Sequence, residues 1–505
     1  MWIRFHREDL AVIAHFLGVL IVGIALFMLV PLITALVMRE WGPASDYAFS
    51  MAICGVVGGA LRLVHIGPHA ITRQQSLAVV GLAWVVISFA GAIPLYLSGH
   101  WPTFLDALFE SVAGFTTSGF SIVHDLDHLA YSHNMWRHLM LLIGGQGIIV
   151  VALAFAFVGR FGGTVSLYQA EGRGEHVLPN LRSTSRFIWF VTGTIVLIGT
   201  LVLLGVNLTN GMGFLRGALH AFWATIATYD TGGFAPQSMS ALYYHSWGFE
   251  LVTMFLMLVG MLNFALQLHL LRGNWKELFK NIETRTLFAT LVFFGMLTAL
   301  GFAASSEFGG VSTIFRKGMY HLVSAASGAG HQTIYPAQWG GLVPSAAFFS
   351  MLLVMGLGGS ASSTTGGIKA MRIGLLAKSI LSSIRAALAP ESAITKVRYH
   401  HLTDRVLTPQ LAAGAASVFI LYISSYLIGT VAGVAYGYDL QSAMFESVAA
   451  AANAGMAVGV TSSSMPDGLM IVYMIQMWIG RLEFIALFAL IAGFAASLRP
   501  RRSRR

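Results

Sequence analysis

The residues whose types and spacing could do chemistry together are four short turns, each ending an apolar stretch too short to cross a bilayer. The first runs from Glu110 through Thr116, Thr117, Ser118 and Gly119 to Ser121, and the second from Ala224 through Asp230, Thr231, Gly232 and Gly233. The third runs from His321 through Ser327, Gly328, Ala329 and Gly330, and the fourth from Glu446 through Ala452, Asn453, Ala454 and Gly455. They superpose without a gap, and their final glycines lie 97 to 125 residues apart. A motif recurring at long intervals marks an internal repeat. Glycine accepts backbone angles that other residues avoid, so each turn can point successive carbonyls at one axis. Four such strands make rings of oxygens able to replace a cation's water shell. A single copy would read as an ordinary helix-to-loop turn. Four in register read as an ion pathway.

A second concentration of unusual residues interrupts an apolar run: Gly356, Gly358, Gly359, Ser360, Ser362, Ser363, Thr364, Thr365, Gly366 and Gly367. Broken backbone at membrane depth is tolerated where it is buried or lines water. The stretch therefore reads as a flap able to open or close a pore, or as a small-residue seam between helices. Arg481 lies in the middle of the last apolar run. A cation there faces a cavity or a partner, either as an electrostatic barrier to ions or paired with a carboxylate from another helix. Asp230 could raise the local cation concentration or cap its own turn. His331 could confer pH sensitivity or serve packing. His124 to His128 has the most metal-like spacing in the chain and reads equally as a solvated acidic vestibule. Glu110 and Glu446, at one repeat position, read as partners for neighbouring backbone.

The elements that must position these groups are transmembrane helices. Of 505 residues, 56% are hydrophobic and 10% charged, and the mean hydropathy is +0.72. Apolar runs of roughly 20 residues recur, each enough to cross a bilayer, and they are continuous, as helices require. The fold class expected is an all-α polytopic membrane protein. Two N-terminal spans, Leu10–Met38 and Tyr47–Val64, occupy residues 1–72. Four parallel span–half-helix–span repeats then occupy 73–160, 161–272, 273–405 and 406–505. The half-helices fall at Phe104–Phe115, Arg216–Thr228, Ile314–Ala326 and Leu440–Ala452, giving ten spans in all. The net charge of +9 does not indicate nucleic acid, because 24 of the 30 Lys and Arg fall on one side of this topology. That side is the cytoplasm by the positive-inside rule, it holds both termini, and it can attract anionic membrane lipid. Cys54 is the single cysteine, which excludes a disulfide or a cysteine metal cluster. The glycine-rich stretch at 356–369 lacks the ending and the preceding strand of a phosphate loop.

Taken together, the four turns, Gly144–Ile148, Gly358–Lys369 and Gly480–Glu483 resemble the Trk/Ktr/HKT potassium transporter family, on its bacterial TrkH/TrkG side. The resemblance implies a pseudo-fourfold pore in a bacterial plasma membrane and a homodimer of such pores. It makes Gly119, Gly233, Gly330 and Gly455 the filter glycines, 356–367 the intramembrane gating loop, and Arg481 the arginine beneath the filter. It also implies control by a cytosolic subunit that binds NAD(H) or adenine nucleotides. No cofactor is expected in this chain, and potassium is the transported substrate. Glycine at all four positions favours potassium, since serine at the first is associated with sodium preference in some plant members.

The competing reading within transport is sodium or proton coupling, or weak selectivity among monovalent cations. From another class, a membrane-embedded enzyme would need convergent acid–base or metal groups. This chain offers no paired nucleophile and base. A receptor or scaffold would leave the fourfold repeat unexplained.

Overall fold

A computed structural model describes residues 5–67, 71–147, 150, 181–305, 310–339, 343–390 and 397–498. The described chain is mostly helix, with one two-stranded hairpin, Arg398–His401 paired antiparallel with Thr403–Val406. Six described helices are long and apolar enough to cross a membrane: Arg7–Met38, Trp41–Arg62, Arg73–Leu97, Ser183–Thr209, Ile282–Ala303 and Pro409–Ala435. Large apolar side chains such as Phe190, Leu300 and Val431 point outward from them, as lipid-facing residues do.

The chain forms two compact units. The first comprises Met1–Thr116, Ile122–Gly193 and Leu482–Arg505, and the second comprises Thr117–Ser121 and Thr194–Arg481. In the first unit the two leading helices cross at glycines. A Cβ on Gly18 would meet Gly58 O at 2.7 Å, and one on Gly58 would meet Gly18 O at 3.0 Å, so small residues let the backbones touch. Arg73–Leu97 starts in a capping box in which the Gln75 amide donates to Thr72 Oγ1 (3.2 Å) and the Thr72 amide to Gln75 Oε1 (2.9 Å). Phe104–Phe115 starts the same way on Thr103 and Asp106. In both, two of the helix's orphan donors are satisfied reciprocally. Glu40 closes the start of Tyr131–Gln146, accepting from the Tyr131 and Ser132 amides at 2.8 and 3.1 Å.

The second unit holds three further half-helices, Phe214–Tyr229, Tyr320–Ser327 and Leu440–Ala451. The third half-helix of the chain is entered through a π-helical turn at Ile314–Met319. These bounds match the four expected from sequence to within a few residues, apart from that turn.

The outer spans depart from expectation. They were expected to be continuous except at the third, yet the helices stop in all four repeats. Tyr131–Gln146 ends on Gly147 (φ 85°), and the expected continuation to Val158 falls almost wholly outside the described residues. Trp247–Gly260 bends by 106° before Phe264–Leu271. Ser345–Leu357 ends on Gly358, and the helix resumes at Ala370. Asp467–Arg481 ends before Glu483 and Phe484, both at positive φ.

Stopping a helix frees its carbonyls, and in lipid each must find a donor. Gln267 Nε2 donates to Val259 O and Leu262 O at the second break. Tyr426 donates to Gly356 O (3.0 Å) at the third, and Tyr422 to Gly480 O (2.9 Å) at the fourth. The two tyrosines are four residues apart on one helix, so they share a face.

Candidate cation-conduction site

Each half-helix runs directly into its turn, and the turns share one backbone pattern. Positive φ occurs at Thr117 and Gly119, Thr231 and Gly233, Gly328 and Gly330, and Asn453 and Gly455. A left-handed residue at every second position lets successive carbonyls face the same side, where a uniform strand would alternate them. The glycines were legible from sequence. The left-handed threonines two residues earlier were not, because a β-branched residue rarely adopts that region.

The four turns close into a ring. A Cβ on Gly119 would collide with Gly232 O, and one on Gly233 would meet Ala329 O at 2.6 Å. One on Gly330 would collide with Ala454 O, and one on Gly455 with Ser118 O. Each final glycine therefore lies against the carbonyl preceding the final glycine of the next turn. The order is first, second, third, fourth and back to the first. Asn453 Nδ2 ties the last pair, donating to Ser118 Oγ (3.0 Å) and Met477 O (2.8 Å). The negative ends of the half-helix dipoles lie at this ring.

The half-helix also holds the strand that follows its turn. Glu110 Oε2 accepts from the Ile122 amide at 3.1 Å, twelve residues on, while Oε1 accepts from Arg137 Nε at 2.8 Å in a fully buried pair. Glu446 Oε1 accepts from the amides of Val458, Gly459 and Val460 (2.8–3.0 Å), and Oε2 from the Thr461 amide and hydroxyl (both 2.6 Å). His321 Nε2 accepts from the Thr333 amide at 3.1 Å. The fourth equivalent is Ala224, and twelve residues beyond it stands Pro236, which has no N–H to donate. An acceptor occupies the position wherever a donor faces it.

The remaining turn residues are buried. Thr116 donates to Val112 O (2.7 Å). Ser327 donates to Ser324 O (3.1 Å) and accepts from the Ala329 amide (3.2 Å). The Asp230 amide donates to Ile226 O (2.8 Å), closing the second half-helix. His331 lies 3.3 Å from Ser240 Oγ through Nδ1, and its carbonyl accepts from Ser324 (2.8 Å).

The loop between Leu357 and Ala370 packs against this ring. Thr364 Oγ1 donates toward Tyr229 O (3.1 Å) and Gly260 O (3.0 Å), beside Thr231 Oγ1 at 3.1 Å. A Cβ on Gly366 would collide with Ala452 O in the fourth turn. Inside the loop, Ser363 donates to Ser360 O (2.6 Å) and lies 2.9 Å from Thr365 Oγ1. Gly358 packs on Gly366 and Gly367, and Gly359 on Thr365. The Ser360 amide donates to Met261 O, and Ser362 O accepts from the Phe264 amide, both at the break of the second outer span. Lys369, which ends the Gly358–Lys369 motif, is buried at positive φ with its ammonium on Thr365 O. Arg481 Nη1 donates to Thr117 Oγ1 (3.2 Å) and Thr364 O (2.9 Å), joining first turn and loop.

His124–His128 stays apart. His128 pairs with Asp125 at 3.0 Å on an exposed loop, and that pairing holds the Asp125 carboxyl below its usual range. Among the described residues no group of three or more His, Cys, Asp or Glu is placed to hold a metal ion.

Membrane-length helices, half-helices and a closed ring of turns define the class: a polytopic membrane transport protein. The chain belongs to the TrkH family of cation transport proteins, whose family model matches residues 48–494. It is 29% identical over 497 residues to an uncharacterized cation transporter of Methanocaldococcus jannaschii, covering 97% of each chain. It is 28% identical to the Trk system potassium uptake protein TrkG of Escherichia coli, covering 97% of this chain and 99% of that one. The crystal structure of the potassium transporter TrkH from Vibrio parahaemolyticus superposes with a TM-score of 0.82, over 97% of this chain and all of that one. At 23% identity that likeness concerns the fold.

Proposed function

We propose that this chain is the conducting subunit of a potassium uptake system in the plasma membrane, with both termini in the cytoplasm. The observation that carries the reading is the closed ring: four turns, each with two left-handed positions, interlocked glycine to carbonyl. Such carbonyls replace the hydration shell of a monovalent cation. The names of the relatives, potassium uptake proteins among them, support potassium as that cation. No chemical step is needed within the chain, since each charge gains about 2.3 kcal/mol per 100 mV of membrane potential.

In this reading residues 356–367 gate the pore beneath the ring, and Arg481 holds the loop in its docked position while placing a cationic barrier there. A homodimer and a cytosolic nucleotide-binding regulatory subunit on the basic face complete the assembly. Weaker selectivity is the second reading. It is favoured by the chemical inequality of the turns, Thr117, Thr231, Gly328 and Asn453 at one ring position, and by the buried carboxylate of Asp230.

The test is cation flux into liposomes carrying the purified protein, comparing K⁺, Rb⁺ and Na⁺, beside Gly119→Ser. Selective K⁺ and Rb⁺ flux, relaxed in the variant, supports the filter. Flux indifferent to substitutions at all four glycines sinks it.

A further inference from the structure

We propose that the hairpin Arg398–Val406 is mechanically joined to the intramembrane loop through Glu283, which acts as a positioning residue for that loop. The proposal rests on the loop being the gate, as read above, but is tested independently of it. Glu283 sits at the start of Ile282–Ala303 and is fully buried. Its Oε1 accepts from the Ala361 amide of the loop at 2.7 Å. Its Oε2 accepts from Asn263 Nδ2 at 3.3 Å, at the bend of the second outer span, and lies 3.9 Å from His401 Nδ1 of the hairpin. Asn281 Oδ1 accepts from the Glu283 amide at 3.0 Å and faces the same His401 nitrogen at 3.2 Å. One carboxylate thus touches the loop, the break that carries the loop's other anchors, and the hairpin.

The chemistry suits transmission. A carboxylate only accepts hydrogen bonds, so it serves the Ala361 and Asn263 donors at once, and it is costly to leave buried without them. His401 Nδ1 faces the Asn281 oxygen that holds the Glu283 amide, so displacing His401 loosens Glu283 and lowers its hold on Ala361 together with its hold on Asn263. The hairpin is tethered a second time on its outer side. Glu277 Oε1 accepts from the Leu402 amide (3.1 Å), and Oε2 lies 3.1 Å from His400 Nε2. The second strand, Thr403–Val406, is exposed along its whole length. A force on that strand reaches the loop through His401 and Glu283 at Ala361, three residues from Thr364 and its contact with the second turn.

Contiguity alone does not establish coupling, so the test reads it directly. Hydrogen exchange is measured on the peptide covering 358–367 in the full-length protein, for His401→Ala, Glu283→Gln, Glu283→Ala and the double variant. His401→Ala is expected to speed loop exchange on the order of fivefold, the low end of usual coupling between sites, with no added effect on top of Glu283→Ala. Glu283→Gln, which keeps one acceptor for Ala361, is expected to fall between. The peptide covering the half-helix Leu440–Ala451 is expected to stay protected, which separates coupling from unfolding. Loop exchange unmoved by His401→Ala, or additive in the double variant, overturns the proposal. Loop exchange that rises while cation flux stays constant leaves the coupling standing and overturns the gating role of the loop instead.

Discussion

At the scale of single residues, two predictions separate the ring from its surroundings. Gly455 has no room for a Cβ against Ser118 O and sits at φ 56°, whereas Gly55 has open space around its Cβ position and no positive φ. Gly455→Ala is expected to relax or abolish K⁺ over Na⁺ discrimination in liposome flux, and Gly55→Ala to leave it unchanged. Equal effects would remove the steric basis assigned to the filter. The second concerns Glu446, whose carboxylate accepts four amides and one hydroxyl. Glu446→Gln turns an NH₂ toward some of those donors and leaves them unpaired, at a cost of about 1–3 kcal/mol. Thermal unfolding of the purified protein should register it as a lower midpoint. Ala224→Glu is expected to destabilise more, because Pro236 has no N–H for the added carboxylate. The glycines were readable in sequence because their conformational need is written in residue type. The accepting role of Glu110, His321 and Glu446 is spread over three side-chain chemistries, and only the recurring twelve-residue offset to the donor unites them.

The elements divide along the same line. Half-helix starts are visible locally, since Thr103 with Asp106 forms a capping box, and Asp439 caps its helix by accepting from the Ser442 amide at 3.0 Å. The third outer span announces its break through glycines and hydroxyls, but Met261–Asn263 and Leu482–Phe484 carry no such run. Those helices stop because remote groups accept or donate at the break, Ser360 and Thr364 at the second and Tyr422 at the fourth. No local pattern encodes that. The hairpin Arg398–Val406 is similarly silent, being four residues per strand and polar. Its anchoring makes a pH prediction. The partners Asp404 and Glu277 raise the His400 pKa above its ordinary 6.5. A raised folded-state value contributes docking stability that is fully present below the unfolded pKa and lost as pH rises through the folded one. The Leu402 amide, bonded to Glu277, is therefore expected to lose protection above pH about 6.5, after correction for intrinsic exchange. His400→Gln should flatten that profile. A wild-type profile with no such step would show that His400 does not anchor the hairpin.

Among the described residues, apolar membrane-length helices, helix breaks and a ring of turns serve one physical problem: carrying a charge across hydrocarbon while freed backbone carbonyls find donors. The family match over residues 48–494 and the four repeats agree on that purpose. In the proposed reading the point of control is the docked loop, held by Thr364 on Tyr229 O and Gly260 O and by Arg481 on Thr364 O. Arg481 also donates to Thr117 Oγ1, so it clasps the loop to the first turn and, in the same reading, sets a positive charge close to the ion path. Arg481→Ala removes both the clasp and the charge, and each loss favours inward flux. Arg481→Lys keeps the charge but, as a point donor without the guanidinium fork, weakens the clasp. Flux in the order Ala above Lys above wild type, with K⁺ over Na⁺ preference retained, is expected if the residue acts on the gate beneath an intact filter. Retained wild-type flux in Arg481→Ala would mean that neither charge nor clasp limits conduction. Lost ion preference at unchanged flux would move Arg481 from the gate to the support of the first turn through Thr117.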